Sequence, residues 1–319
     1  MCFYSFDFHY SIVVSILVPV YNACEYLQNC INSLIRQTFN DLQIVMIDDG
    51  STDNSWELMN EFASIDRRIE IYKQKNCGVA RTRNRLLNMA KGDFILFVDS
   101  DDWIEQNTVE LLIETQYINN YDIVSFQMVG AHNKTEGHYS QDELISLFLD
   151  HRVFNGSLCN KLIKKSLYEN LKFDETVSYG EDALMFWQVL QRVGNAIIIP
   201  DELYHVGINR NSLSRRHFND NKFSVFRVWD SICGSVDEKW PQYSSLAHAR
   251  FTCEMTLILR DAVKSYYRDN KQIKPLQEVI RRDLRFLIKE GISTTPMILF
   301  AWIVSHNYWL ATRLAPFIW

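Results

Sequence analysis

The sequence has no two cysteines at CxxC spacing. Its seven cysteines, Cys2, Cys24, Cys30, Cys77, Cys159, Cys233 and Cys253, are scattered and odd in number. That speaks for reduced thiols in a cytoplasmic protein and against a disulfide framework or a zinc site. In that compartment the sequons Asn133-Lys134-Thr135 and Asn155-Gly156-Ser157 carry little weight. Met1 to Tyr10 is aromatic-rich but lacks the basic start and small-residue cleavage site of a signal peptide. A membrane span needs about 20 mainly apolar residues. The run Met297 to Val304 offers eight before Ser305-His306-Asn307 interrupts it. Internal repeats and low-complexity tracts are also missing. With a formal net charge of −6, no nucleic-acid partner is expected.

What is present suits an ordinary globular chain. Its 319 residues are 47% hydrophobic and 13% aromatic, enough for one or two packed domains and too apolar for disorder. Charge is unevenly spread, with nine Lys/Arg against five Asp/Glu between Arg260 and Glu290. That stretch reads either as a surface for an anionic partner or as a solvated helical face. The aromatic tail after it fits a helix lying at a membrane surface and, equally, one packed on the rest of the protein.

Apolar, β-branched runs mark strands at Ser15–Val20, Leu42–Ile47, Ile69–Tyr72 and Phe94–Val98. Between them, helices are expected over Glu25–Gln37, Asn54–Ala63 and Gly78–Ala90, the last stopped by Lys91-Gly92. A helix over Thr108–Ile118, a strand over Asp122–Phe126, a helix over Glu181–Val193 and a strand over Asn195–Pro200 follow. Beyond Ser214 the pattern is helical. This alternation implies an α/β fold with a mostly parallel, doubly wound sheet. Such sheets bind ligands at the carboxyl ends of their strands.

Two acidic clusters fall at that edge. Asp48-Asp49 closes the second strand, and Asp99-Ser100-Asp101-Asp102 closes the fourth. Carboxylates beside a core are costly unless something pairs with them, and no lysine or arginine lies within several residues of the second cluster. A divalent cation would resolve this, since Mg²⁺ and Mn²⁺ take hard oxygens and bridge one or two carboxylates to substrate phosphates.

Five segments then occur in order: Ser15-Ile16-Leu17-Val18-Pro19-Val20-Tyr21-Asn22, Ile47-Asp48-Asp49-Gly50-Ser51-Thr52-Asp53, Gly78-Val79-Ala80-Arg81-Thr82-Arg83-Asn84, Asp99-Ser100-Asp101-Asp102 and Gly180-Glu181-Asp182. Together they resemble the motif series of family 2 glycosyltransferases with the GT-A fold, over roughly Ser15 to Ser214. The resemblance implies an inverting, metal-dependent transferase using a nucleotide-diphosphate sugar. It further implies a GT-A catalytic domain over 15–215, an N-terminal extension over 1–14 and a helical C-terminal region over 216–319.

Roles follow from the same resemblance. Pro19, Tyr21 and Asn22 flank the nucleotide, Pro19 serving also as a strand terminator. Asp49, or else Asp48, contacts the base; an accepting carboxylate suits uracil, thymine or guanine and suits adenine poorly, so a UDP-sugar donor is favoured. Apart from the resemblance, the residue types make Asp53 or Asn54 the cap of the next helix. Gly78 and Arg81 sit at a helix start suited to a diphosphate, while Arg83 and Arg85 are read as surface residues. Asp99 lies near ribose and metal, and Asp101 coordinates Mn²⁺ or Mg²⁺; Asp102 is either a supporting or an exposed carboxylate. Asp182 is the general base and Glu181 orients the acceptor, although two acids at a helix start are also favourable to any helix dipole. Lys161 is read as an acceptor or phosphate contact, or else as packing. His205 is read as a late metal or phosphate contact, or else as a structural histidine.

One departure stands out. Val206-Gly207 replaces the aromatic-arginine pair common in related sequences, leaving Arg210, Arg215 or Arg216 as substitutes. The function implied is sugar transfer to a hydroxyl of a glycan or lipid-linked acceptor. It would take place in the cytoplasm, at the inner face of the cell membrane if 260–319 makes peripheral contact. A non-catalytic nucleotide-sugar-binding or assembly subunit is the alternative. A sugar-phosphate nucleotidyltransferase would show a glycine- and arginine-rich loop after the first strand. An aspartate-nucleophile phosphohydrolase would carry its Asp-X-Asp at the first strand.

Overall fold

The computed structural model describes residues 14–131, 136–150, 156–208 and 218–318. Both sequons therefore begin outside the described residues, as do Arg210, Arg215, Arg216 and the expected boundary near residue 215. In chain order the elements are β1 (Val14–Val20), α1 (Cys24–Ile35), β2 (Leu42–Asp48), α2 (Ser55–Ile65), β3 (Ile69–Lys73), α3 (Val79–Met89), β4 (Phe94–Phe97) and β5 (Trp103–Ile104). They continue through α4 (Thr108–Asn119), β6 (Ile123–Met128), β7 (Gly137–Ser140), α5 (Gln141–Leu149), β8 (Lys161–Lys164), α6 (Glu181–Leu190) and β9 (Asn195–His205). Five helices close the chain: α7 (Val225–Lys239), α8 (Ser244–Lys264), α9 (Asn270–Glu290), α10 (Thr295–His306) and α11 (Tyr308–Ile318).

The strands form one mixed sheet in the order β3-β2-β1-β4-β8-β6-β9-β5, with β7 beside β9. β3, β2, β1 and β4 are parallel, as the alternation with helices requires. Every residue of β2 and β4 is buried, and residues 44–47 of β2 and 94–97 of β4 are unbroken apolar runs with no alternation, the signature of a sheet covered on both faces. β8 enters antiparallel between β4 and β6, and β6 and β9 resume the common direction. The sequence pattern shows neither β5, β7 nor β8, because they are short or carry polar residues. α5 carries a local signal in Ser140-Gln141-Asp142-Glu143, and Ser140 and Glu143 form a reciprocal capping box there.

Register decides where the chemistry goes. Val20 of β1 pairs with Asp48 of β2, and Leu17 of β1 with Phe97 of β4. The loops after β1, β2 and β4 thus leave from one sheet edge. Because β8 runs the other way, its start, Cys159 to Lys161, comes to that edge too.

The C-terminal helices form a packed assembly. α9 presents Ile273, Leu276, Val279, Ile280 and Leu287 inward, and Gly291 ends it at φ 61°, a left-handed cap that favours glycine. α10 buries Met297, Phe300, Ala301 and Val304. Its carbonyls at Val304 and Ser305 accept hydrogen bonds from Gln277 and Arg281 of α9. Leu299, Trp302, Trp309 and Leu310 stay exposed. Among the described residues, no helix is long and apolar enough to cross a membrane.

Candidate active site

The first wall is made by the loops after β1 and β2. Asn22 takes φ 49°, and its Oδ1 accepts from the Thr52 amide at 2.8 Å while its own amide donates to Ser51 Oγ at 2.9 Å. These bonds tie the two loops together and leave Tyr21 exposed at the edge. Pro19 lies within β1 opposite Ile47. Asp53 accepts from the Cys24 amide and from Ser55, so it joins the starts of α1 and α2.

Asp48 is fully buried; its Oδ1 accepts from the Ser51 amide at 2.9 Å, and Lys73 Nζ lies 3.5 Å from Oδ2. Asp49 gathers the loop before α3. Its Oδ1 accepts from Gln74 Nε2 and the Cys77 amide, its Oδ2 from the Gly78 amide, each at 2.9 Å. Gly50 is required there, because a Cβ would fall 2.7 Å from the Asn76 nitrogen and its φ is 76°.

α3 separates its three arginines. Arg81 is exposed and meets Glu175 only at 3.7 Å. Arg85 donates to Gln74 Oε1 and lies over the Tyr72 ring. Arg83 corrects the surface reading: its side chain is 5% exposed. The helix buries Ala80, Arg83 and Leu86, a three-residue spacing that places Arg83 on the inner face. That spacing was the signal available for this residue. Its Nη2 donates to Asp99 Oδ1 at 3.2 Å, and its Nη1 lies 2.6 Å from both Glu181 Oε1 and Asp182 Oδ1.

The acidic run is held from several sides. Cys159 Sγ donates to Asp99 Oδ2 at 3.3 Å, and the Asp99 amide donates to the Tyr204 hydroxyl. Asp101 is half-buried. Asp102 is buried, which removes the exposed reading. Its Oδ2 accepts from Tyr204 Oη and its Oδ1 from the Gly207 amide, both at 2.7 Å. Burial pushes the Asp102 carboxyl up to about 7 despite those bonds.

Glu181 and Asp182 open α6 behind Gly180, whose φ is 90°. Asp182 is pushed up to about 7, with burial the main cause, the Arg83 charge opposing it and Glu181 and Asp99 adding to it. Lys161 is buried, donating from Nζ to the Ser157 carbonyl and Asn160 Oδ1 and lying 4.8 Å from the Phe186 ring centre. Burial lowers its ammonium to about 7. His205 stacks on Trp103 at 4.9 Å and pairs through Nε2 with Glu105 at 2.6 Å.

Among the described residues, no three His, Cys, Asp or Glu side chains converge on one point to hold an ion. Asp99 and Asp101 offer hard oxygens at the sheet edge, and Asp99 keeps 39% of its side chain accessible. Three carboxylates share the single Arg83 cation, an excess of negative charge that fits a divalent ion completed by ligand phosphates.

A family model described as Glycosyl transferase family 2 matches residues 15–184. The chain is 35% identical over 223 residues to glycosyltransferase GlyA of Streptococcus pneumoniae, covering 63% of this chain and 31% of GlyA. It is 26% identical over 304 residues to the minor teichoic acid biosynthesis protein GgaB of Bacillus subtilis, covering 92% of this chain and 31% of GgaB. The matched region thus spans about a third of either relative's length. Residues 1–349 of S. aureus TarS share the fold at a TM-score of 0.69 and 18% identity, covering 95% of this chain and 91% of that one. The same TarS fragment in complex with UDP aligns at 0.65 and 17% identity, with the same coverage.

Proposed function

The chain belongs to glycosyl transferase family 2, and from that premise we propose that it moves a sugar from a nucleotide-diphosphate donor to an acceptor hydroxyl during surface-glycan synthesis. The observation that carries this reading is the meeting of Asp99 with Glu181 and Asp182 on one buried guanidinium. A donor-side acid and an acceptor-side pair, about 80 residues apart in sequence, close on one another at the ligand edge of the sheet. UDP is the favoured nucleotide. It is supported by the accepting carboxylate of Asp49, Asp48 being fully buried away from any ligand, and by the UDP bound to TarS. GgaB, by its name, serves teichoic acid synthesis, which supports a glycan or lipid-linked acceptor here.

In this mechanism Tyr21 and Asp49 border the base, and Gly78 and Arg81 at the start of α3 face the diphosphate. Asp99 and Asp101 would hold Mn²⁺ or Mg²⁺, which when bound offsets charge developing on the departing diphosphate. Asp182 takes the proton of the acceptor hydroxyl as its oxygen attacks the anomeric carbon opposite the nucleotide. The C–O bond to the acceptor forms as the bond to the diphosphate breaks. One such displacement inverts the anomeric centre, so an α-linked donor yields a β-linkage. Glu181 orients the acceptor. The exposed Leu299, Trp302, Trp309 and Leu310, with Arg313 lying over the Trp309 ring, support peripheral contact with the inner face of a membrane.

Calorimetric titration with UDP, dTDP, GDP and ADP, each with Mn²⁺ and with EDTA, tests the donor assignment. Metal-dependent binding of UDP, abolished in Asp101→Ala, is expected. Binding unaffected by EDTA or by that substitution would remove the metal site. Binding of none of the four would favour an assembly subunit.

A further inference from the structure

We propose that Arg83 is a positioning residue that couples the donor side of the site to the base, one guanidinium holding Asp99 with one amino group and the Glu181–Asp182 pair with the other. The inference rests on the proposed transferase reading and adds to it a dependence of one half-site on the other.

Three observations carry it. Arg83 is buried on the inner face of α3, where a cation is costly unless carboxylates surround it. Its Nη1 is shared between Glu181 and Asp182 at 2.6 Å each, while Nη2 reaches Asp99 at 3.2 Å. The Asp182 contact lacks hydrogen-bond geometry, and Arg83 Nε is buried without a partner. The guanidinium is therefore oriented by the balance of charges on its two sides, not by a full set of directed bonds. The Phe173 ring lies 5.8 Å from the guanidinium carbon. Asn84, next along α3, holds Phe173 in place by bonds to its amide and carbonyl at 2.7 and 2.9 Å.

The consequence is competition for one cation. A divalent ion held by Asp99 with the donor would supply positive charge there and would weaken the claim of Asp99 on Arg83. The guanidinium would then be left to Glu181 and Asp182, which already lie 2.6 Å from it and would hold it more firmly with the donor seated. Lysine cannot reproduce this, because a single ammonium lacks the planar fork that spans both sides.

A double-mutant cycle read by calorimetry tests the coupling without an acceptor, using UDP with Mn²⁺ as the probe and the full chain in four forms: unaltered, Asp182→Asn, Arg83→Lys and both. Asp182→Asn removes one claim on the guanidinium, so Arg83 should grip Asp99 harder and weaken UDP·Mn²⁺ binding about threefold. In the Arg83→Lys background the same change should shift the dissociation constant by less than a factor of 1.5. Equal shifts in both backgrounds, or no shift with Arg83 present, would overturn the proposal. If Arg83→Lys fails to melt cooperatively, Glu181→Gln replaces it: weaker binding in the direction of Asp182→Asn supports the coupling, and unchanged binding overturns it. An unaltered protein that binds no UDP with Mn²⁺ would refute the donor assignment instead.

Discussion

The backbone amide of Gly207 donates to Oδ1 of the buried Asp102 at 2.7 Å, fastening the end of β9 to the acidic run after β4. The approach is so close that a Cβ at position 207 would lie 1.9 Å from the Asp101 carbonyl oxygen. The Val206-Gly207 step is therefore a built contact: glycine there lets the chain cross directly over the expected metal-binding pair.

Gly207→Ala should force the two segments apart. The buried Asp102 oxygen then loses its donor, a loss of roughly 1–3 kcal/mol. The melting temperature should fall, and UDP·Mn²⁺ should bind at least about tenfold more weakly, a change near 1.4 kcal/mol. Val206→Ala, which changes an exposed side chain, serves as the control. Equal behaviour of the two variants in calorimetry would show that the contact is dispensable.

The Asp182 carboxyl is pushed up to about 7, chiefly by burial and against the pull of Arg83. A general base acts only when ionised, so turnover should rise about tenfold per pH unit below that value and level off above it. Asp182→Asn should lower transfer by about 10²–10⁴-fold while still binding UDP·Mn²⁺ within about fivefold of the unaltered protein. A flat rate between pH 5.5 and 8 would place the base elsewhere.

His248 bridges three helices of the C-terminal region, with Nδ1 2.9 Å from Asp283 and Nε2 3.1 Å from Asp237. The Asp283 hydrogen bond, with that to Asp237, raises its pKa above the ordinary 6.5 against the effect of burial. A raised histidine stabilises the fold fully below its unfolded value, and that contribution is lost as pH rises through the folded one. Thermal melts should therefore show the advantage of the unaltered protein over His248→Gln shrinking from pH 6 to pH 8. An advantage that grows over that range would reverse the assignment.

Replacing Leu299, Trp302 and Trp309 by serine should abolish co-sedimentation with anionic vesicles. Because these side chains are exposed, the melting temperature should change little. Deleting 297–319 is a poorer test, since it also strips Phe300 and Val304 from their packing. Vesicle binding retained by the triple variant would remove the membrane contact.

Much of this protein is decided locally. Strongly apolar runs mark β1, β2 and β4 as strands suited to a sheet covered on both faces, and helical spacing makes α1 and α6 amphipathic. Parallel alternation then obliges Asp48, Asp49, Asp99 and Asp101 to share the ligand edge, because strand direction alone determines which end carries the loops. The tertiary structure decided what those groups touch. Asp102 meets Tyr204 across 102 residues, and Arg83 meets Glu181 across 98. β8 finds β4 in an antiparallel register that no local pattern announces. Periodicity reports that a face turns inward, as it does for Arg83 between Ala80 and Leu86. The identity of the partners waiting there depends on long-range closure, which the chain completes only when the sheet is assembled and every buried charge must find its counter-charge at once.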